Sequence, residues 1–475
     1  MTVSRRTAQD CFCPKYMGLL SENARLKEMN ERLREKLKRQ ERTAREAPFG
    51  LSTPSSNRLI KPSLPDLTEE EVKRRKGGAP VGHAGRGWKR PEGPEPEIEA
   101  LPAPEFCPCC GSTLEDFPGG DETVRDLIDC HPQAAFRRRV RVPARYCPHC
   151  RKPLRPRVPG VLPKTRICNS VLARAASEHY LDGVPMGTVT RRLGVPKGTV
   201  LNDMHRLAEV LAPVVVRLRD RLRDAAIKQA DETPWRTDGD NGYAWVFIAG
   251  RVTIFVCEQT RAMSVPAAVL ADCGGTLVTD RYAAYNCFAG ERSYCIEHLK
   301  RDALSIVEEN PGNVECVDFA SALVPWLCAA MSLRAACAGD NVAYFVRAAF
   351  IRCRIEDIVH APARHPSVQD IQNIFRENSD RLWHWTADPR VPADNNASER
   401  AVRPLAIARK VSHGSQSVKG RETRSVLMSV LHTLNACCTD PAKRLADALD
   451  QYAQNRDTNM FTRLFGGLPL YIPTQ

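Results

Sequence analysis

The sequence predicts a multidomain protein: an α/β core with an all-helical insertion, preceded by a coiled-coil helix, a zinc-ribbon-like cysteine module and a helix-turn-helix-like unit. Three observations carry this prediction. Leucines repeat every seven residues near the start, two C-x-x-C knuckles follow, and from residue 226 short apolar runs bounded by turns replace helical periodicity. The 475 residues exceed one ordinary domain of about 100–200. A composition of 43% hydrophobic and 26% charged residues excludes wholesale disorder and a polytopic membrane protein.

Residues 1–46 are expected to form a coiled-coil oligomerisation helix. Leu19, Leu26 and Leu33 hold one seam position, and Asn23, Asn30 and Leu37 hold the position four residues later. Asn in such a seam weakens packing but specifies register and a low oligomer number. Self-association is therefore expected, with a single solvated helix as the alternative. Residues 47–104 are rich in Pro, Gly and charge, including Lys73-Arg74-Arg75-Lys76 and the stretch around Trp88. They read as a basic linker, able to lie along phosphates or to serve as a plain tether.

Residues 105–160 hold the knuckles Cys107-Pro-Cys-Cys110 and Cys147-Pro-His-Cys150, with the basic strand Phe136–Val142 between them. The start of the chain lacks the apolar core of a signal peptide, so a cytoplasmic place is expected, with no membrane partner. Nineteen cysteines, an odd number, then suggest metal ligands before disulfides. Four thiolates from two turns suit a closed structural Zn²⁺ site at Cys107, Cys110, Cys147 and Cys150. Reduced core cysteines or a redox pair are the alternatives, and Cys109 and His149 are substitute ligands.

Residues 161–225 are expected to hold three helices: Val171–Leu181, Pro185–Leu193 and Lys197–Leu211. Gly194-Val195-Pro196 lies at the turn, and Val189, Leu193, Val195 and Val200 point inward. Asp203 occupies a position better suited to an apolar side chain. Such a unit would turn Lys197, Thr199, Asn202 and His205 toward a DNA groove and set Arg191 and Arg192 on phosphates; an ordinary helical hairpin is the alternative. The charge distribution suits a polyanion partner, with a merely soluble basic protein as the alternative. Residues 1–225 carry 42 Lys+Arg against 28 Asp+Glu, whereas residues 226–475 carry 27 against 28.

In the second half, strands are expected at Ile227–Trp235, Tyr243–Ala249, Val252–Glu258 and Thr276–Asp280, with a possible fifth at Ser293–Ile296. Asp231 and Asp280 fall at or near strand ends. Glu399 falls on a helix that Asp394 or Asn395 could cap. Two strand carboxylates and one helix carboxylate make a hard oxygen cage for Mg²⁺ or Mn²⁺. Two such ions would stabilise the attacking and leaving oxygens of a phosphoryl displacement. With 28 acidic residues in this half, spacing alone does not single out this trio. Residues 320–337, 342–358 and 368–381 show helical periodicity between Asp280 and Glu399. Trp326, Trp383 and Trp385 there are either core or placed near DNA ends. Arg400, Arg403, Arg409, Lys410, Lys419 and Arg421 read as a basic patch beside Glu399, or as a solvated helical face.

The runs Asp231-Glu-Thr233, Thr279-Asp-Arg-Tyr-Ala-Ala-Tyr-Asn286 and Asp394-Asn-Asn-Ala-Ser-Glu399-Arg-Ala-Val-Arg403-Pro404 resemble the IS66-family transposases of bacterial insertion sequences. The heptads, the Gly77-Gly78 linker, the knuckles, the helical unit and the C-terminal Thr433-Leu-Asn435 with Asp440-Pro441 extend the likeness in order. The resemblance implies an RNase H-like core in two parts, 226–310 and 385–435, with a helical insertion at 311–384 and a helical tail at 436–475. It implies a DDE site at Asp231, Asp280 and Glu399, and Mg²⁺-dependent 3′-end nicking and strand transfer. It also implies double-stranded DNA partners, both terminal inverted repeats and target, and companion proteins of the same element. Two stretches depart from the family pattern. Gly78-Ala-Pro-Val-Gly-His83 is one residue longer, and Glu297-His-Leu-Lys-Arg301 replaces a His-Ala-Arg-Arg run, so the phosphate contact there rests on Lys300 and Arg301. A catalytically idle DNA-binding regulator and an RNase H-type nuclease are the alternatives.

Overall fold

The computed structural model describes residues 97–116, 123–131, 134–337 and 339–470. The expected coiled coil and all of the basic linker before residue 97 lie outside the described residues. The architecture is mixed α/β, with sheets and many helices.

The cysteine region contains β1 (Ile98–Ala100), β2 (Glu115–Asp116), β3 (Thr123–His131), β4 (Ala134–Val142), β5 (Arg145–Cys147) and β6 (Lys152–Leu154). They form two three-stranded sheets, ordered β1-β4-β3 and β2-β5-β6. Leu127, Val140 and Val142 pack with Val158, Val161 and Cys168 under the first sheet. The second sheet has an apolar cluster of only Cys107, Leu114 and Cys147, flanked by Cys150 and Leu154. So little buried area leaves a small module dependent on another staple.

Helices α1 (Asn169–Ala176), α2 (Met186–Leu193) and α3 (Lys197–Asp224) follow, with a π-helical turn at Ser177–Leu181. Gly194 closes α2 at φ +63, a conformation that suits glycine. Val189, Val195 and Val200 are buried, and Leu193 packs against the same core. Helix α3 does not stop near Leu211; it continues through Pro213 to Asp224 because Val214, Val215, Leu218 and Leu222 keep one face buried. Asp203 is buried as well. Its Oδ2 accepts the backbone N–H groups of Arg166 (3.1 Å) and Ile167 (3.2 Å), so the polar residue in an apolar position ties the chain entering α1.

Next come β7 (Ile227–Thr237), β8 (Asp240–Ala249), β9 (Val252–Glu258), α4 (Ser264–Leu270), β10 (Thr276–Thr279) and β11 (Glu291–Tyr294). One five-stranded sheet has the order β11-β10-β7-β8-β9. The β7-β8-β9 meander is antiparallel, whereas β10 runs parallel to both β7 and β11. Trp235, Trp245, Phe247 and Phe255 are fully buried around it.

Helices α5 (Ile296–Glu309), α6 (Val314–Cys337), α7 (Asn341–Val359), α8 (Pro366–Glu377), α9 (Ser379–Leu382) and α10 (His384–Ala387) form a bundle with its own core. Trp383 and Trp385 belong to that core. The Trp385 indole N–H donates to the Leu382 carbonyl (2.9 Å), and both rings are buried packing residues. Among the described residues, α6 alone is long and apolar enough to cross a membrane by length and composition. Its Phe319, Leu323, Leu327 and Leu333 are buried.

Helices α11 (Asn396–Ser412), α12 (Val418–Cys437), α13 (Pro441–Gln454) and α14 (Met460–Phe465) complete the described chain. Helix α12 covers edge strand β9. The hydroxyls of Ser425, Ser429 and Thr433 accept the N–H groups of Cys257 (3.0 Å), Phe255 (2.9 Å) and Thr253 (3.1 Å). Four helical residues rise about 6 Å and two strand residues about 6.6 Å, so the two repeats stay matched over three rungs. The edge that would otherwise pair with another chain is thereby satisfied.

A candidate carboxylate and metal site

Asp231 lies in β7 and Asp280 immediately follows β10. These strands are parallel, with Gln229 opposite Val278. Continuing that register by two residues would set Asp280 beside Asp231, and the charge of Asp280 acts on Asp231. The Asp231 Oδ1 accepts the Glu232 N–H (2.9 Å), and the Asp280 Oδ1 accepts the Tyr282 N–H (2.9 Å).

The Asp394-Asn-Asn segment brings Glu399 to the same place. Asn395 occupies the N-cap position of α11 without a side-chain cap bond; its buried amide donates to the Ala230 carbonyl, next to Asp231 (2.8 Å). Gln229 donates to the Asp394 carbonyl (3.1 Å), and the Asn396 N–H donates to the Asp394 carboxylate (3.0 Å). Helix α11 is thus fastened to β7 one turn before Glu399. The Glu399 Oε2 accepts from Arg301 (3.0 Å), while its Oε1 is buried and has no partner among the described residues.

Burial pushes the Asp231 carboxyl well above the usual carboxylate range, and the charges of Glu232, Asp280 and Glu399 push it further. A buried carboxyl that neighbouring carboxylates hold protonated more strongly, together with an orphaned carboxylate oxygen on Glu399, suits a hard divalent cation. Glu232 is distinct. It is 3% exposed, and its oxygens accept from Arg261 (2.6 and 3.0 Å) and from the Tyr285 hydroxyl (2.6 Å). That pairing anchors the strand beside Asp231. Arg292, also buried, holds the turn after β10 by donating to the Thr279 hydroxyl (3.0 Å) and the Asp280 carbonyl (3.2 Å). Neither anchor stands out in sequence, where one is an acid beside an acid and the other an arginine in a strand.

The basic residues expected near this site separate into two groups. Arg400, Arg403, Lys410 and Lys419 are exposed. Arg409 is 2% exposed and donates to the Thr233 hydroxyl (3.0 Å) and the Pro234 carbonyl (2.7 Å). It is a structural tie between α11 and β7, which corrects its assignment to a DNA-facing patch. Arg421 is likewise buried and pairs with Glu258 (3.2 Å). Lys300 pairs with Glu297 (2.7 Å), and Arg301 bridges Glu297 and Glu399.

In the helical unit, Arg191, Lys197 and Asn202 are exposed and Thr199 half-buried. Arg192 pairs with Glu178 (3.2 Å). His205 faces α12, where its Nδ1 meets the Thr423 hydroxyl (2.6 Å), so it is not presented to a groove.

The four knuckle sulfurs converge far from the carboxylates in sequence. Cys107 and Cys150 are 3.8 Å apart, Cys110 and Cys147 3.8 Å, and Cys110 and Cys150 3.5 Å. A tetrahedron with Zn–S bonds of about 2.3 Å has edges of about 3.8 Å. Each knuckle ends on a left-handed residue, Gly111 at φ +71 and Arg151 at φ +50. The geometry fits one tetrahedral ion held by four thiolates, and Cys109 and His149 are not in the cluster.

The family model described as "Transposase IS66 family" matches residues 164–423, more than half of the chain. An uncharacterized protein of Sinorhizobium fredii (strain NBRC 101917 / NGR234), y4jD, is 23% identical over 259 residues, covering 51% of this chain and 48% of that protein. The chain spans about half the length of that curated relative.

Proposed function

The chain belongs to the IS66 family of transposases, and from that premise we propose that it is a metal-dependent DDE transposase acting through Asp231, Asp280 and Glu399. What supports the proposal is that the charges of Asp280, at the end of β10, and Glu399, on α11, both act on buried Asp231 in β7, with Glu399 Oε1 left without a partner among the described residues. The sheet order, an antiparallel meander followed by two parallel strands, supports an RNase H-like core into which the α5–α10 bundle is inserted. Mg²⁺ or Mn²⁺ held by the three carboxylates would supply charge neutralisation at the reacting phosphate and lower the pKa of water.

The residues of the chain perform the positioning. Glu232, Arg261 and Arg292 fix the strand ends, Asn395 fixes the helix, and exposed Arg400, Arg403 and Lys410 line the approach for a DNA backbone. In the first step, water attacks a phosphorus at the element end; the P–O3′ bond breaks and the 3′ oxygen leaves as a hydroxyl. In the second, that hydroxyl attacks a target phosphorus and a target 3′ oxygen leaves. Both are in-line displacements that need orientation and charge rather than a covalent protein nucleophile.

Terminal inverted repeats are recognised through the helix-turn-helix-like unit, with Arg191, Lys197, Thr199 and Asn202 on the duplex, and structural Zn²⁺ steadies the cysteine module. Self-association through the N-terminal segment, companion proteins of the same element and a cytoplasmic, nucleoid-bound location complete the proposal. The test is strand joining by purified protein with its own element ends, Mg²⁺ and target DNA. Nicking followed by joining is expected. Binding of ends without nicking would favour a regulator, and cleavage without joining a nuclease.

A further inference from the structure

Cys295 and His298, which play no part in the proposed reaction, lie beside Glu399 of the carboxylate cluster. We propose that Cys295, His298 and Glu399 form a site for a borderline transition-metal ion of the zinc or cobalt kind, sharing Glu399 with the carboxylate cluster.

One ligand atom from each of the three lies within 4.8 Å of the other two. Ligands at 2.0–2.3 Å from a tetrahedral ion stand about 3.3–3.8 Å apart, a contraction that rotation of half-buried His298 and Glu399 can supply. The donor set is one sulfur, one imidazole nitrogen and one carboxylate oxygen. Sulfur and imidazole favour zinc-like ions over magnesium. Three protein ligands leave a fourth position open, unlike the closed four-cysteine cluster.

Two further observations point to a ligand. His298 Nδ1 and Glu399 Oε1 are both buried without a hydrogen-bond partner among the described residues. Buried polar atoms are rarely left so, and here two of them fall in one three-residue cluster. The sulfur also meets a backbone donor. Cys295 is the N-cap residue of α5, its Sγ accepts the Asn395 N–H (3.1 Å), and the N–H groups of Glu297 and His298 also favour its thiolate. Donors of this kind orient and stabilise a metal-bound thiolate. Zinc-like ions bind the thiolate and not the thiol, so the site would take up its ion with release of the Cys295 proton. Glu399 cannot fully serve both sites, and zinc would therefore compete with magnesium for it.

The experiment uses the full chain with one zinc per chain, measured, at the four-cysteine cluster. Cobalt(II) is titrated in and the near-ultraviolet thiolate-to-cobalt absorption is followed. The wild type should gain one equivalent of this band, and Cys295→Ser should abolish it. His298→Gln should weaken cobalt binding by more than the roughly 10–100-fold that outer-shell changes cost. Should Cys295→Ser fail to fold, His298→Gln decides alone. No band in the wild type, or a band of unchanged amplitude and affinity in the folded variants, would overturn the proposal. The readout needs no DNA: a missing band leaves the transposase proposal standing, and a present band without nicking counts against that proposal alone.

Discussion

Arg301 donates from Nη2 to Glu399 Oε2 at 3.0 Å, so in the DNA-free chain a guanidinium occupies one oxygen of a carboxylate proposed to hold metal. Both side chains retain solvent access, 44% and 26% exposed, and such a pair contributes at most about 1 kcal/mol. Replacing Arg301 with Ala should therefore tighten Mn²⁺ binding by about fivefold in the absence of DNA, while weakening binding of element ends. Calorimetry with and without DNA separates the two effects. Weaker metal binding in the variant would show that Arg301 organises Glu399 and does not compete for it.

The rung from Phe255 to Ser429 makes a prediction about stability. Ser429→Ala leaves a buried N–H unpaired and should cost about 1–3 kcal/mol, read as a shift in the urea midpoint. A loss below about 0.5 kcal/mol would mean that water or a shifted helix satisfies the strand.

Acid should act through two buried histidines. Burial, and then the charge of Arg424, lower His179 to about 4; burial lowers His432 to about 4. Arg424 donates to His179 Nε2 (3.1 Å), which leaves the Nδ1 proton for the Val184 carbonyl (2.8 Å), so the folded ring is neutral. The unfolded chain takes up these protons near pH 6.5. Their contribution is thus intact above that value and lost as pH falls toward 4, by about 2 kcal/mol per histidine at pH 5. The raised acids Asp231 and Glu232 act in the opposite sense, so the comparison is with His432→Gln. Stabilities of wild type and variant should converge by about 2 kcal/mol between pH 7.5 and pH 5. Parallel curves would contradict the burial of a neutral ring.

Removing metal from the cysteine module should melt it locally, because its apolar cluster is so small. Cys147→Ser should lose one bound zinc and the hydrogen-exchange protection of residues 105–116 and 145–154, and leave the five-stranded sheet protected. Full protection in metal-free protein would assign the cysteines a packing role.

What could be read in the sequence was local. The knuckles are short enough that spacing alone brings each pair of sulfurs together, and alternation places β7 to β9 close to their observed ends. The trio of acids is a different case: spacing does not distinguish it among 28 acidic residues, and only the resemblance to a family points to it. The hydroxyl ladder was hidden because its rungs join residues more than 160 positions apart, and serines at helical spacing look like a solvated face. Arg409 misled for a related reason: a basic run suggests a surface, and only the fold shows one member turned inward to hold Thr233. Asp203 was an inconsistency in a helical pattern until the chain before α1 supplied the N–H groups it accepts.

The most direct measurement is 3′-end nicking by Glu399→Gln at matched occupancy of element DNA in Mg²⁺. The substitution keeps size and polarity and removes only the charge on a carboxylate whose Oε1 has no partner among the described residues. Nicking slower than wild type by on the order of 10²–10³-fold is expected, the scale of losing one electrostatic contact to the transition state. A rate within a few-fold of wild type would remove Glu399 from the site and with it the proposed three-carboxylate centre.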